Sequence, residues 1–325
     1  MLRFGVWSLE QLQARRIKDF LGREKNVSVE LYEEAQRGLN GSSDQEQEIV
    51  LDHFKFGHVF KRTHANRFAA FDDALLSAVV KQVDPTPDAP IRVHDIAASD
   101  GRTSLDLYEK SRGIFKDRVR FLATDLLPWV YSIRRPEGSL RAITDDRGEV
   151  IQIIHPPFVF DLARNESWFY WLNHIVQSRH VKLATALASL FLSDPSMVEV
   201  KKIYLIHQRC RKLMQEGRGF TFERYNVLEP IDREFDLVRA MNILNQAYFG
   251  EDEIRRILRS IFESLRAGGI FATGSNEGRG SEVEGGIYLR TEKGFRLLLS
   301  AGSGSRVHGT ISSFVQQSEP WSQAK

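Results

Sequence analysis

The chain has 325 residues, with 45 Lys and Arg against 43 Asp and Glu and a net charge of +2. That balance suits an ordinary soluble globular protein with a sizeable core, and it excludes chain-wide attraction to nucleic acid or membrane, so either partner would need a local patch. The single cysteine, Cys210, excludes an internal disulfide framework and a multi-cysteine metal site, which fits a reducing compartment.

The opening stretch MLRFGVWSLEQLQARR lacks the apolar run of a secretory signal, so a cytoplasmic location is expected. Residues 1–84 read as a helical region, with helical periodicity in FAAFDDALLSAVVKQV (68–83) and a flexible loop at GLNGSSDQEQE (38–48). The cluster DPTPDAP (84–90) should end a helix and deliver the chain into a strand, and the main domain, 85–325, is placed after it. Strand and helix patterns then alternate: IRVHDIAA (91–98), TSLDLYEKSRG (103–113) and VRFLATD (119–125). The series resumes at FTFERYNV (220–227) and FDLVRAMNIL (235–244), passes through a helix over 251–267 and reaches AGGIFATGS (267–275). Two strands around a TEKG turn close it, in GGIYLRTEKGFRLLLSAGS (285–303). Such alternation predicts an α/β fold built on a Rossmann-like, mainly parallel sheet.

Between Asp125 and Phe220 lie 94 residues, far more than one crossover helix and its loops need. An insertion over about 128–218 is therefore expected, helical in character, with thirteen basic residues to nine acidic between the two strands. It contains HPPFVFD (155–161), the aromatic cluster WFYW (168–171) and the apolar run LATALASLFL (183–192). The polar centre, with Asn173, His174, Gln177, Arg179, His180 and Lys182, breaks any membrane span. Two readings remain: an amphipathic cap over the active site, or an interfacial helix docked peripherally on a lipid surface with help from Arg179, Lys182, Lys201, Lys202, Arg209, Arg211 and Lys212.

Parallel sheets bind ligands beyond the carboxyl ends of their strands. In HDIAASDGRTSLDL (94–107), Asp95 closes an apolar run, and Ala97, Ala98, Ser99, Asp100 and Gly101 form a turn of small residues that a ligand can approach closely. A phosphate cradle uses two or three glycines. This loop has one glycine and two carboxylates, Asp95 and Asp100, which suit an amine or a sulfonium. Asp125 ends the next strand, where a carboxylate can take both hydroxyls of a ribose. Asn226 is a candidate for an adenine amine, Val227 and Leu228 for the flat slot beside the ring, and Asn242 for the reactive end. Taken singly, Asp125 also reads as a helix N-cap and Asn226 as a turn residue. Their order along the chain favours a nucleoside cofactor.

These motifs resemble the class I S-adenosylmethionine-dependent methyltransferases, with HDIAASDGRTSLDL, LATD, YNVLEP and FDLVRAMNIL standing as the first four motifs and ILRSIFESLRAGGIFATGSNE (257–277) as the region that follows. Within that superfamily the phrases are most similar to the chemotaxis-receptor glutamate methyltransferases. The likeness implies a seven-stranded sheet with a C-terminal antiparallel strand and S-adenosyl-L-methionine as cofactor. It places Asp95, Ala97, Ser99 and Gly101 around the methionine part, Asp125 at the ribose, Asn226 and Val227 at the adenine, and Met241 and Asn242 near the methyl group, with Ala98 and Leu126 also in the cofactor site. Arg102 and Met241 depart from the chemotaxis pattern, and the insertion has no counterpart there, so the receptor substrate is not carried over.

The expected function is methyl transfer to a small-molecule, lipid-like or protein acceptor; the alternative is a catalytically silent relative that serves as a cofactor-binding or interaction module. The missing G-x-G-x-x-G argues against an oxidoreductase. Nucleic acid is not an expected substrate, since the chain lacks both the Asn-Pro-Pro-aromatic phrase and a strongly basic domain. If the acceptor needs a general base, the candidates are His58, His64, His155, His174 and His180. Each also reads as a surface or structural histidine. His155, in its His-Pro-Pro turn, is the most site-like.

Overall fold

The structure is a computed structural model that describes residues 2–38, 50–51, 53–56, 59–61, 63–82, 89–162, 168–276 and 282–315. The loop expected at 38–48, the breaker cluster from residue 84 to 88 and His58 lie outside the described residues, apart from Gly38. The chain divides into two compact units, one of residues 1–64 and 127–208 and the other of residues 65–126 and 209–325.

The second unit carries the alternating pattern. The elements that frame its sheet are helix α1 (Ala69–Gln82), strand β1 (Ile91–Ile96), helix α2 (Arg102–Phe115), β2 (Val119–Asp125), β3 (Phe220–Arg224), β4 (Phe235–Met241), helix α3 (Glu251–Ser264), β5 (Leu265–Ser275), β6 (Glu284–Arg290) and β7 (Phe295–Ala301), with shorter helices at Gln208–Glu216 and His308–Ser312. They build one seven-stranded sheet in the order β3-β2-β1-β4-β5-β6-β7. The first five strands in that order pair in parallel, β6 runs antiparallel to β5, and β7 returns antiparallel to β6 across the expected TEKG turn. This is the Rossmann-like arrangement expected from the sequence. Its central strands are apolar runs because both faces are covered: every residue of β4 is buried, and in β1 only Arg92 is exposed. Helix α3 shows the complementary 3.6-residue rhythm, burying Ile254, Ile257, Leu258 and Ile261. Its first turn holds Glu251, Asp252 and Glu253, and Glu253 reaches back to accept the Gly250 N–H at 2.9 Å, which suits the positive end of the helix dipole.

The first unit corrects the expectation of a helical insertion. The inserted stretch is a five-stranded antiparallel sheet in the order Phe158–Asp161, Val150–His155, Arg141–Thr144, Trp129–Arg134, Glu199–Tyr204, with one long helix, Trp171–Ser193. Side chains alternate across it with period two. Ile133, Ala142, Ile153 and Phe160 pack on the helix through Ala184 and Leu187, while Val130, Ile143, Ile154 and Val159 pack on Val6, Val27, Leu31 and Tyr32 from the N-terminal segment. Among its described residues that segment includes the short helices Leu9–Gln13 and Leu31–Gly38. It is pinned by the buried Gln152, which accepts Val29 N–H at 2.9 Å and donates to Val27 C=O at 3.0 Å. The alternation was present in WVYSIR, VIQIIH and FVFD; the conspicuous apolar helix downstream masked it. Among the described residues no helix is long and apolar enough to cross a membrane.

One buried ring in the sheet carries a pH consequence. His94 in β1 is fully buried, bonded through Nε2 to Thr124 Oγ1 at 2.9 Å and packed 4.8 Å from Phe235. Burial, with a smaller push from Arg233, drives its pKa down to about 3. The unfolded imidazole binds a proton below about pH 6.5 while the folded one does not. Stability is therefore fully present above that pH and falls by about 1.4 kcal/mol per pH unit toward pH 3. Urea unfolding at pH 7, 6 and 5 should show this slope in the native chain and a shallower one in His94→Phe; equal slopes would remove His94 as the cause.

Candidate functional site

Strand order reverses between β1 and β4: β1 leads outward to β2, and β4 leads outward to β5. The crevice beyond their carboxyl ends is the expected ligand position in an open parallel sheet. Four residues there have left-handed backbone, Ala97 (φ 57°), Ser99 (φ 58°) and Gly101 (φ 87°) after β1 and Asn242 (φ 59°) after β4. Glycine is required at 101 twice over, by its φ and because a Cβ there would lie 2.6 Å from Cys210 Sγ and 2.9 Å from Phe222 Cε2. The loop is moored to β2 through Ala98 N–H to Thr124 C=O and Ser99 N–H to Asp125 Oδ2, both 2.8 Å.

The two loop carboxylates are not offered to a ligand, which corrects the charge expectation drawn from them. Asp95 is buried and gripped by Arg239, with Nε 2.8 Å from Oδ1 and Nη2 2.7 Å from Oδ2, and its Oδ2 also accepts Ser104 Oγ at 2.6 Å. Arg239 in turn donates from Nη1 to both oxygens of Asp72, at 2.8 and 2.9 Å, and from Nη2 to Thr103 C=O at 2.9 Å. Burial opposes the charge on Arg239, but Asp72 and Asp95 outweigh it and hold the guanidinium above its ordinary pKa. Asp100, with no exposure, accepts Arg102 N–H on Oδ1 at 3.1 Å, and its Oδ2 lies 3.1 Å from Arg102 Nε. Its carboxylate thus occupies the amino end of α2, where the helix dipole favours an anion.

Of the residues assigned to the nucleoside, Asp125 is mostly buried at the end of β2 beside the loop, and Leu126 beyond it is exposed. Asn226 is the first residue of an Asx turn: Oδ1 accepts Leu228 N–H at 3.1 Å, its carbonyl accepts Glu229 N–H at 2.9 Å, and Nδ2 is 3.4 Å from Glu229 Oε1. Its side chain is oriented by the turn. Val227 and Leu228 pack with Ala97, Ile243 and Leu244 over the core. Met241 is buried in β4, and Asn242 Oδ1 accepts Asn276 N–H at 3.1 Å, joining the ends of β4 and β5. Asn276 also accepts Arg67 Nε at 2.8 Å.

The structure therefore brings together Asp95, Ala97, Ala98, Ser99, Gly101, Asp125, Val227, Met241 and Asn242 at neighbouring strand ends of one sheet. His155 lies in the first unit, with Nδ1 2.9 Å from His180 Nε2 and Nε2 3.0 Å from Ser139 Oγ, and His174 is exposed on the same unit's long helix. Sequence reasoning missed Asp72, Arg67, Asn276 and Arg239. Arg239 alone left a signal, as an arginine inside the apolar strand FDLVRAM that must find buried carboxylates.

No family model matches the chain, and no curated protein matches it. Among solved structures it is similar to an S-adenosylmethionine-dependent methyltransferase from Clostridium acetobutylicum, at 12% identity over 72% of this chain and 78% of that one, with TM-score 0.27. It is also similar to the sugar N-methyltransferase KedS8 from Streptoalloteichus, at 14% identity over 72% of each chain, with TM-score 0.31. A third likeness, to TrmN from Thermus thermophilus, has 13% identity over 72% of this chain but only 53% of that one, with TM-score 0.32. Superpositions this partial transfer neither fold nor activity, and the fold stands on the chain's own strand order.

The buried charge cluster has a measurable cost of disruption. Arg239→Met strands two buried carboxylates and should lower the unfolding free energy by about 3–5 kcal/mol, read from urea midpoints at neutral pH. A loss below about 1 kcal/mol would show that the guanidinium does not hold the loop.

Proposed function

We propose that the second unit binds S-adenosyl-L-methionine and that the protein is a methyltransferase acting on a small-molecule, lipid-like or protein acceptor. One observation carries this reading: the Asp100 carboxylate sits on the amino end of α2, the position a dinucleotide's pyrophosphate needs in such a sheet. A phosphate finds that position already filled by a buried carboxylate, whereas a nucleoside without phosphate does not need it. The rest of the crevice suits that ligand. Asp125, tied by Ser99 N–H to the loop, is placed to accept ribose hydroxyls; Val227 and Leu228 supply an apolar wall for a base; and Ala97, Ala98, Ser99 and Gly101 present backbone and little bulk to the remainder.

When bound, this cofactor supplies a methyl group on an electrophilic sulfonium. The chain's own contribution is to hold an acceptor against that group and exclude water. Asp95 acts at one remove, by fixing the loop through Ser104 and Arg239, and Asn242 by clamping the end of β5. Asn226 Oδ1 is oriented by Leu228 N–H and keeps a second lone pair for the adenine amine. The motif likeness to the chemotaxis-receptor enzymes is kept for the cofactor alone, since Arg102 pairs with Asp100 inside this protein.

Calorimetry with S-adenosylmethionine and with NAD tests the reading. Binding of the first and not the second is expected, and Asp125→Ala should weaken it by about 1–3 kcal/mol, the value of hydrogen bonds to a charged acceptor. Binding of NAD alone, or unchanged affinity in the variant, would overturn it. Transfer of labelled methyl groups into lysate separates an enzyme from a silent binder.

A further inference from the structure

We propose that Ser139, His155 and His180 form a nucleophilic serine site in the first unit that accepts acyl groups from activated esters. The site shares no residue with the cofactor crevice and does not depend on the reading given for it. Three elements meet there: the turn between strands Trp129–Arg134 and Arg141–Thr144, the last residue of strand Val150–His155, and the third turn of helix Trp171–Ser193. Ser139 Oγ is 3.0 Å from His155 Nε2, His155 Nδ1 is 2.9 Å from His180 Nε2, and His180 Nδ1 is 2.7 Å from Val176 C=O.

The last contact sets the direction of the others. A carbonyl only accepts, so the proton of neutral His180 resides on Nδ1 and its Nε2 is a lone pair. That lone pair takes the Nδ1–H of His155. His155 Nε2 is left unprotonated and faces the Ser139 hydroxyl, which must donate. A nucleophile on a base, and the base on a third group that fixes its tautomer, is the arrangement that activates a serine. The surroundings agree. Burial, then the neighbouring His180, lowers the His155 pKa and keeps the ring a neutral base. Phe160, 5.3 Å from the His180 ring, covers one side of the pair, while Ser139 is exposed to solvent. The turn is closed by Gly138 N–H to Arg135 C=O at 3.0 Å, so the exposed Arg135 shares it with the hydroxyl.

In the reaction the Ser139 Oγ–acyl carbon bond forms as the ester C–O bond breaks. The hydroxyl proton passes to His155 Nε2 and then to the departing alkoxide. Water attacks the acyl-serine by the same route in reverse, releasing the acid and restoring the hydroxyl. While His155 is charged, His180 Nε2 accepts a charge-assisted hydrogen bond from it, so His180 is a positioning residue.

Full-length protein treated with a fluorophosphonate and, separately, with p-nitrophenyl acetate tests the site, with peptide mass spectrometry to locate the label. Label on Ser139 and ester turnover are expected, both lost in Ser139→Ala while its S-adenosylmethionine binding stays as in the parent chain. His155→Gln should slow labelling by at least about 100-fold, the usual scale of general-base assistance. His180→Gln should slow it less and flatten the pH dependence of the acylation rate, a readout that packing alone does not move. An unlabelled Ser139 in the folded native protein overturns the proposal without any variant. Labelling at an unchanged rate in a folded His155→Gln overturns it as well.

Discussion

A guanidinium in the middle of a parallel sheet is the constraint around which the second unit is arranged. Arg239 cannot be solvated where it lies, so every direction in which it donates has to end on an acceptor. The acceptors come from three other elements: Asp72 on α1, Asp95 on β1 and the Thr103 carbonyl on α2. Slippage of any one of them strands a buried charge, so the cluster fixes the register of β4, β1 and both helices at the end of the sheet where the loop begins. Burial pushes the Asp72 carboxyl above its ordinary pKa against the pull of Arg239, so part of the pairing is spent on desolvation. The gain is geometric definition more than net stability.

That definition changes how the loop meets a ligand. With Asp95 answered by Arg239 and Asp100 by Arg102, the turn presents backbone and small side chains instead of net negative charge. Selectivity then comes from position: Asp100 fills the anion site at the amino end of α2, and Asp125 stands at the carboxyl end of β2. The left-handed residues Ala97 and Ser99 cost on the order of 1–2 kcal/mol each. They are held by hydrogen bonds to Thr124 and Asp125. Strain of this kind persists where surrounding structure over-determines it, commonly at ligand clamps, and here it falls on the crevice at which strand order reverses.

The sheet was legible because its signals were local. IRVHDI and FDLVRAM are apolar runs of strand length, EIRRILRSIF has helical spacing, and turn residues separate them. The β1 loop, Asp125 and Asn242 followed from their places at strand ends. Side-chain partners were less legible than strand ends. Asp95 looked available because nothing near it in the chain announces Arg239, 144 residues away. Asn226 Oδ1 is oriented by the Leu228 N–H two residues on, a turn that the sequence already offered. The insertion hides its sheet for another reason: its strands are short, joined by tight turns such as the one capped by Asp145 Oδ1 on Arg147 and Glu149 N–H, and each is far shorter than the 23-residue apolar helix that dominates the stretch.

Histidine shows most plainly why residue type does not settle role. His94 and His155 are both held neutral, chiefly by burial. His94 lies between Phe235 and Tyr225 with Thr124 on one nitrogen, and among the described residues its Nδ1 has no hydrogen-bond partner. A proton arriving there has nowhere to go, so the ring is packing and its neutrality only makes the fold sensitive to acid. His155 is half buried, and one nitrogen faces an exposed hydroxyl while the other backs onto a ring whose tautomer a carbonyl fixes. A proton taken up there comes from a nucleophile and is stabilised from behind. Lowered basicity in the first ring is a by-product of burial; in the second it keeps a lone pair ready beside the one group in the turn able to use it.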